Sequence, residues 1–352
     1  MTESKIYQKL REHLDGLPGG FRPAENDADI HLLRNLFTPE EAELATYLTL
    51  TREDAGAIAD RVDLPVSGVE RRLNVMADKG LILSFDTDGK MMYQAAPWVV
   101  GIYEFQVNRL SDDFLRSMDN YYGQRIPVER PQTIPQMRTI PINQSIDSTL
   151  DVLPYEKVEE LIENHTKFAV ATCICRSRAK KLGRGCDAPM ETCLVFGDFA
   201  DYYIRTGKGR VIDKAEIKRV LEEANKANLV LNPTNSKFVS AICCCCGDCC
   251  GILRGLQSAP RPAEAVASSF IVEHDSDACI GCGVCIDRCQ MQAITLEGPV
   301  ADVNTDRCIG CGLCVSTCPT NALSLVRKPE EDLKDMPDTL FDTWYKIAKD
   351  QS

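Results

Sequence analysis

Eight of the eighteen cysteines fall in two runs, Cys279-Cys282-Cys285-Cys289 and Cys308-Cys311-Cys314-Cys318, each spaced C-x2-C-x2-C-x3-C. No other feature constrains the chain as much. Three thiolates on one tight loop can cap three corners of a four-iron cube while a more distant fourth closes it, so the spacing is the ligand pattern for two [4Fe–4S] clusters. Cysteine quartets also suit zinc, but paired zinc sites are not usually spaced this way. Sliding the first run forward by 29 positions lays Asp277-Ala278-Cys279-Ile280-Gly281-Cys282-Gly283 onto Asp306-Arg307-Cys308-Ile309-Gly310-Cys311-Gly312. The segment is an internal duplication.

At these residues, over roughly 271–326, the chain resembles the bacterial two-cluster ferredoxin family. In that family the fourth cysteine of each run ligates the other cluster. The resemblance therefore implies one cluster on Cys279, Cys282, Cys285 and Cys318, and the other on Cys308, Cys311, Cys314 and Cys289. Gly281, Gly283, Gly310 and Gly312 suit a backbone that curls with its N–H groups toward sulfur. Pro319 follows the last cysteine as the family expects, whereas Gln290 stands where proline is expected after the first run. Ala293-Ile294-Thr295-Leu296 and Ala322-Leu323-Ser324-Leu325 are expected as short strands after each loop.

At 352 residues and 44% hydrophobic, the chain has material for two or three domains with ordinary cores. No apolar run approaches the ~18 residues of a membrane span, and Met1 to Gly16 carries alternating charges in place of a signal peptide's apolar stretch. A cytoplasmic protein is expected, with its cysteines serving as metal ligands or redox thiols in an anaerobic or microaerophilic host. The net charge of −12 repels nucleic acid and would steer the protein toward a basic face on a redox partner.

The expected architecture is an α+β multidomain chain in five parts. Residues 1–96 read as an N-terminal helix and a winged helix; 97–141 as a helix and proline-rich linker; 142–263 as a cysteine-rich α/β middle domain. Residues 264–327 form the two-[4Fe–4S] ferredoxin-like domain, and 328–352 an acidic amphipathic tail whose Leu340, Phe341, Trp344, Tyr345 and Ile347 pack back onto the body or bind a partner. Within the first part, helices are expected at Pro39 to Leu48, at Thr51 to Val62, and after a Ser67/Glu70 capping box. Gly80 ends the third helix, and a hairpin turns at Asp86 to Lys90. The order resembles winged helix-turn-helix regulators. Yet the first 100 residues hold 11 basic against 17 acidic side chains, with Asp86 and Asp88 at the wing tip. Protein docking or homodimerisation through this region is preferred to DNA reading.

The middle part carries ten more cysteines: Cys173, Cys175, Cys186, Cys193, Cys243, Cys244, Cys245, Cys246, Cys249 and Cys250. Two apolar strings, 167–171 and 238–242, each end in cysteines, and their pairing would bring both groups into one site. One or two further iron–sulfur clusters, zinc, or a thiol–disulfide relay would each use such a set. Arg176, Arg178, Lys180, Lys181 and Arg184 form a basic patch beside it, and Asp213/Glu216 caps a helix running to about Ala227.

Nucleotide, flavin and haem motifs are absent, and His13, His31, His165 and His274 do not cluster in sequence. The whole layout resembles multi-cluster iron–sulfur proteins of anaerobic bacteria. The leading expectation is a multi-cluster ferredoxin-like protein, or a subunit of an oxidoreductase complex, that relays single electrons to or from a partner oxidoreductase. The alternatives are a redox-sensing winged-helix regulator and a reductase acting at an unusual middle cluster.

Overall fold

The computed structural model describes residues 3–123, 134–146 and 150–351. The chain divides into two compact units, one built from residues 1–136, 198–210 and 341–352, the other from 137–197 and 211–340.

In the first unit, helices Glu3–Asp15, Ala28–Leu36 and Pro39–Ala45 precede a small sheet. Thr38 starts the third of these through a capping box with Glu41. Glu53–Asp54 then pairs with Lys90–Ala95, which pairs with Ile82–Thr87, and helices Ala55–Val62 and Val66–Asp78 lie between the first strand and the hairpin. Ser67 does not cap the last helix, which starts one residue earlier. Pro65 is its N-cap, and a proline there presets the backbone without a side-chain acceptor. The hairpin turns on Asp88 and Gly89, both at positive φ, as a two-residue turn between twisted strands requires.

The single helix expected from Pro97 onward breaks in two. Residues 98–106 are irregular, and the regular helix is Asp112–Gly123. Pro97 and Gly101 disfavour the intervening turns, and Ser111 begins the helix by accepting from the Phe114 N–H. The proline-rich linker expected within 97–141 lies partly outside the described residues. Its described end is extended, and Ile140 bridges Leu231. Residues 198–210 add Phe199 and Tyr202 to the first unit's core, and Tyr202 donates to the carbonyls of Ala77 or Ile82 at 3.0 Å. The C-terminal helix Leu340–Gln351 packs back, with Trp344 fully buried against Phe199 and donating to Gln136 Oε1 at 2.8 Å.

The second unit is organised on a five-stranded sheet. Its body runs Phe168–Thr172, Glu191–Phe196, Ala241–Cys245, Val230–Pro233, all antiparallel, with Arg210–Val211 as a two-residue edge. The expected direct pairing of 167–171 with 238–242 is therefore not made. Glu191–Phe196 lies between those strands, and its consecutive buried Leu194, Val195 and Phe196 suit a strand covered on both faces. Asp213 caps helix Lys214–Lys226 by accepting from the Glu216 N–H at 2.7 Å. Residues 270–274 pair with 323–327 beside the cysteine runs. Ile309, Leu313 and Met291 share one core with Val230, Ile242 and Leu253, so the ferredoxin-like segment is packed into this unit's core.

Candidate iron–sulfur and thiolate centres

Two cavities lie in the duplicated segment. One is lined by Cys279, Cys282, Cys285 and Cys318. The other is lined by Cys308, Cys311, Cys314 and Cys289. Each cavity thus takes three cysteines from one run and the fourth from the other.

The local backbone accounts for this exchange. Gly281, Gly283, Gly310 and Gly312 all lie at φ between 62° and 76°, which lets the chain turn tightly between consecutive cysteines. A Cβ on Gly310 would collide with the Phe270 carbonyl, and one on Gly281 with the Pro299 carbonyl. Each loop is therefore pressed against a neighbouring segment that only glycine admits. The short helices Val284–Arg288, which contains Cys285, and Val315–Thr317, which follows Cys314, carry the fourth cysteine of each run away from its own loop. Arg288 fixes the first exit through Leu313 O at 3.2 Å and Asn225 O at 2.9 Å.

The donor set suits thiolate-bound clusters. Ala293 N–H donates to Cys289 Sγ at 3.2 Å, and Ala301 N–H to Cys279 Sγ at 3.5 Å. Burial pushes the Cys318 thiol up, but the N–H of Thr320 and neighbouring donors outweigh it and hold the thiol below its ordinary value. Burial pushes Cys308 and Cys285 up. Buried sulfurs of this kind need a positive centre to stay ionised, which iron would supply. The two sites differ in exposure: Cys308 and Cys314 are buried, while Cys282 is exposed.

The ten middle cysteines separate into three groups. Cys193 and Cys243 face each other across adjacent strands. Cys193, Cys243, Cys245, Cys250, Cys175 and Cys173 form a chain in which each thiol neighbours the next. Cys243 and Cys245 share a face because side chains alternate along a strand. Cys244 points to the opposite face, fully buried. Cys186, Cys246 and Cys249 form a separate trio.

Arg176 leaves the basic patch expected from the sequence. It is 1% exposed and donates to Cys244 O at 3.2 Å from both terminal nitrogens, to Thr192 Oγ1, and to Cys246 Sγ at 3.7 Å. It serves the thiol site from inside, since a buried guanidinium needs several acceptors at once. Gln290, the departure from the family's proline, also has a task. Its Oε1 accepts from the Gly247 N–H at 2.6 Å, and its carbonyl accepts from Gln257 Nε2 at 2.7 Å. The Cys246-to-Cys249 turn is thereby tied to the residue that follows Cys289. Sequence spacing held no sign of this contact beyond the missing proline itself.

Residues 272–325 match the family model described as a 4Fe-4S dicluster domain. This segment is thus a ferredoxin-like iron–sulfur domain, and the many cysteines beside it agree with an iron–sulfur electron-transfer role. The match covers that segment alone, and no curated protein and no solved structure was found to match the chain. Among the described residues, no helix is long and apolar enough to cross a membrane.

Proposed function

We propose that the protein relays single electrons to or from a partner oxidoreductase through two [4Fe–4S] clusters, one on Cys279, Cys282, Cys285 and Cys318, the other on Cys308, Cys311, Cys314 and Cys289. The observation that carries this reading is the lining of the two cavities, three thiols from one run and the fourth from the other. When bound, each cluster supplies a one-electron redox couple. The residues around it hold the thiolates, donate N–H groups to sulfur and limit water. Cys282 and its neighbours Ile280, 65% exposed, and Val284, 42% exposed, give the first site an apolar rim at the surface. That rim is the docking face for the redox partner, and the acidic chain around it favours a basic partner surface.

The six linked thiols from Cys193 to Cys173 extend the relay by a third cluster. Residues 39–95 act as a winged helix for protein docking or dimerisation. The order helix, strand, helix, helix, hairpin supports the fold, and Leu64 and Val66, each 48% exposed, support an apolar contact surface at the start of its third helix.

The test is a double-mutant cycle on anaerobically purified protein. Cys289→Ser and Cys308→Ser should disable the same cluster, so their combination should lose no more iron than either alone, about four atoms per chain. Cys308→Ser with Cys318→Ser should lose about eight. The opposite pattern would assign each cluster to a single run. Total iron near twelve atoms supports the third cluster, and iron near eight removes it.

A further inference from the structure

Cys246-Gly247-Asp248-Cys249 is a C-x2-C turn, and the loop after helix Ile174–Lys181 brings Cys186 to it. The three sulfurs lie within 4.8 Å of one another. Cys186 Sγ is 3.4 Å from Cys246 Sγ and 3.9 Å from Cys249 Sγ. Thiolates around one tetrahedral zinc ion, with Zn–S near 2.3 Å, stand about 3.8 Å apart. Thiolates on a four-iron cube cap different corners and must spread wider.

The chain contains its own comparison. Among the described residues this trio is the group of His, Cys, Asp or Glu drawn this close. The ferredoxin quartets instead stand around open pockets, their sulfurs not drawn together on one point.

We propose that Cys186, Cys246 and Cys249 bind a single divalent ion of the zinc class as three thiolates of a tetrahedral site, with the fourth position filled from outside the trio. Three thiolates around a divalent ion leave one negative charge, and Arg176 Nη1, 3.7 Å from Cys246 Sγ, offsets it. The C-x2-C spacing is the one by which a tight turn presents two sulfurs to one ion. The assignment uses residues outside both ferredoxin cavities, so it and the electron-transfer reading can fail independently.

Zinc and iron per chain are measured on the full-length protein purified anaerobically, alongside Cys246→Ser and Cys186→Ser, the latter changing a residue on an irregular loop should the former fail to fold. The expected result is about one zinc per chain, reduced at least about tenfold in either variant, with iron and the reduced-cluster resonance spectrum unchanged. Cobalt(II) in place of zinc should give the visible and sulfur-to-metal charge-transfer bands of a tetrahedral thiolate site. Loss of about four iron atoms in the variants would make the trio part of a cluster and overturn the proposal. Zinc retained in both variants, or a Cys186–Cys246 disulfide with no metal, would also overturn it.

Discussion

At the scale of single residues, the departures from a familiar pattern carried the most information. Gln290 breaks the proline expectation, and its side chain holds the buried Gly247 N–H of the C-x2-C turn. Gln290→Ala should leave that donor without a protein partner, at a cost of about 1–3 kcal/mol. Chemical denaturation of the anaerobic protein checks the size. If the turn is held this way, the variant's zinc should also be removed by a chelator faster than the parent's. Arg176 teaches the same lesson. In sequence it is one of five cations near Cys173 and Cys175, and nothing in composition distinguishes the one that turns inward. Packing decides, because only that position on the helix faces Cys244 and Thr192.

At the scale of elements, several short local signals survived, the Ser67/Glu70 box did not, and the expected strand pairing was not made. The Asp213 cap, the Gly80 stop and the Asp88-Gly89 turn are legible because each depends on a few adjacent residues. The strand ending at Cys173 was legible as a strand, but its neighbour was not. Either of two apolar strings could satisfy its edge, and the sheet chose Glu191–Phe196. The tail was legible as amphipathic, and the structure makes its last part the helix Leu340–Gln351. Its anchor is Trp344, which fills space beside Phe199 and Phe341 and donates to Gln136. Trp344→Ala should destabilise the first unit by about 3–5 kcal/mol, since it combines a large cavity with a lost partner for a buried amide. Thermal unfolding followed by far-ultraviolet circular dichroism reads the shift.

At the scale of the molecule, the thiols are gathered in one unit. All eighteen cysteines lie in the unit built from residues 137–197 and 211–340, many of them in its core. Bound metal stabilises the folded state by mass action, so stripping it should loosen that core. Trp98 and Trp344 both belong to the other unit. Iron and zinc chelation should therefore lower the cooperativity of unfolding seen by circular dichroism while leaving the tryptophan emission wavelength unchanged. A red shift in that emission on chelation would mean that the first unit also depends on metal.

Within the duplicated segment, the sequence by itself picked out the eight thiols that line the two cavities, because the repeat shows the same short fixed spacing twice. The grouping of the other ten thiols was decided only by the tertiary structure. Six consecutive or nearly consecutive cysteines, 243–250, have no distinguishing spacing, and the side a thiol takes depends on strand alternation and on which strand lies next to it. Alternation sends Cys244 away from Cys243 and Cys245, the turn carries Cys246 and Cys249 to Cys186, and Arg176 enters from a helix some seventy residues earlier. Local spacing can encode a loop's ligands. The meeting of distant loops is encoded only in the packing of the core that holds them.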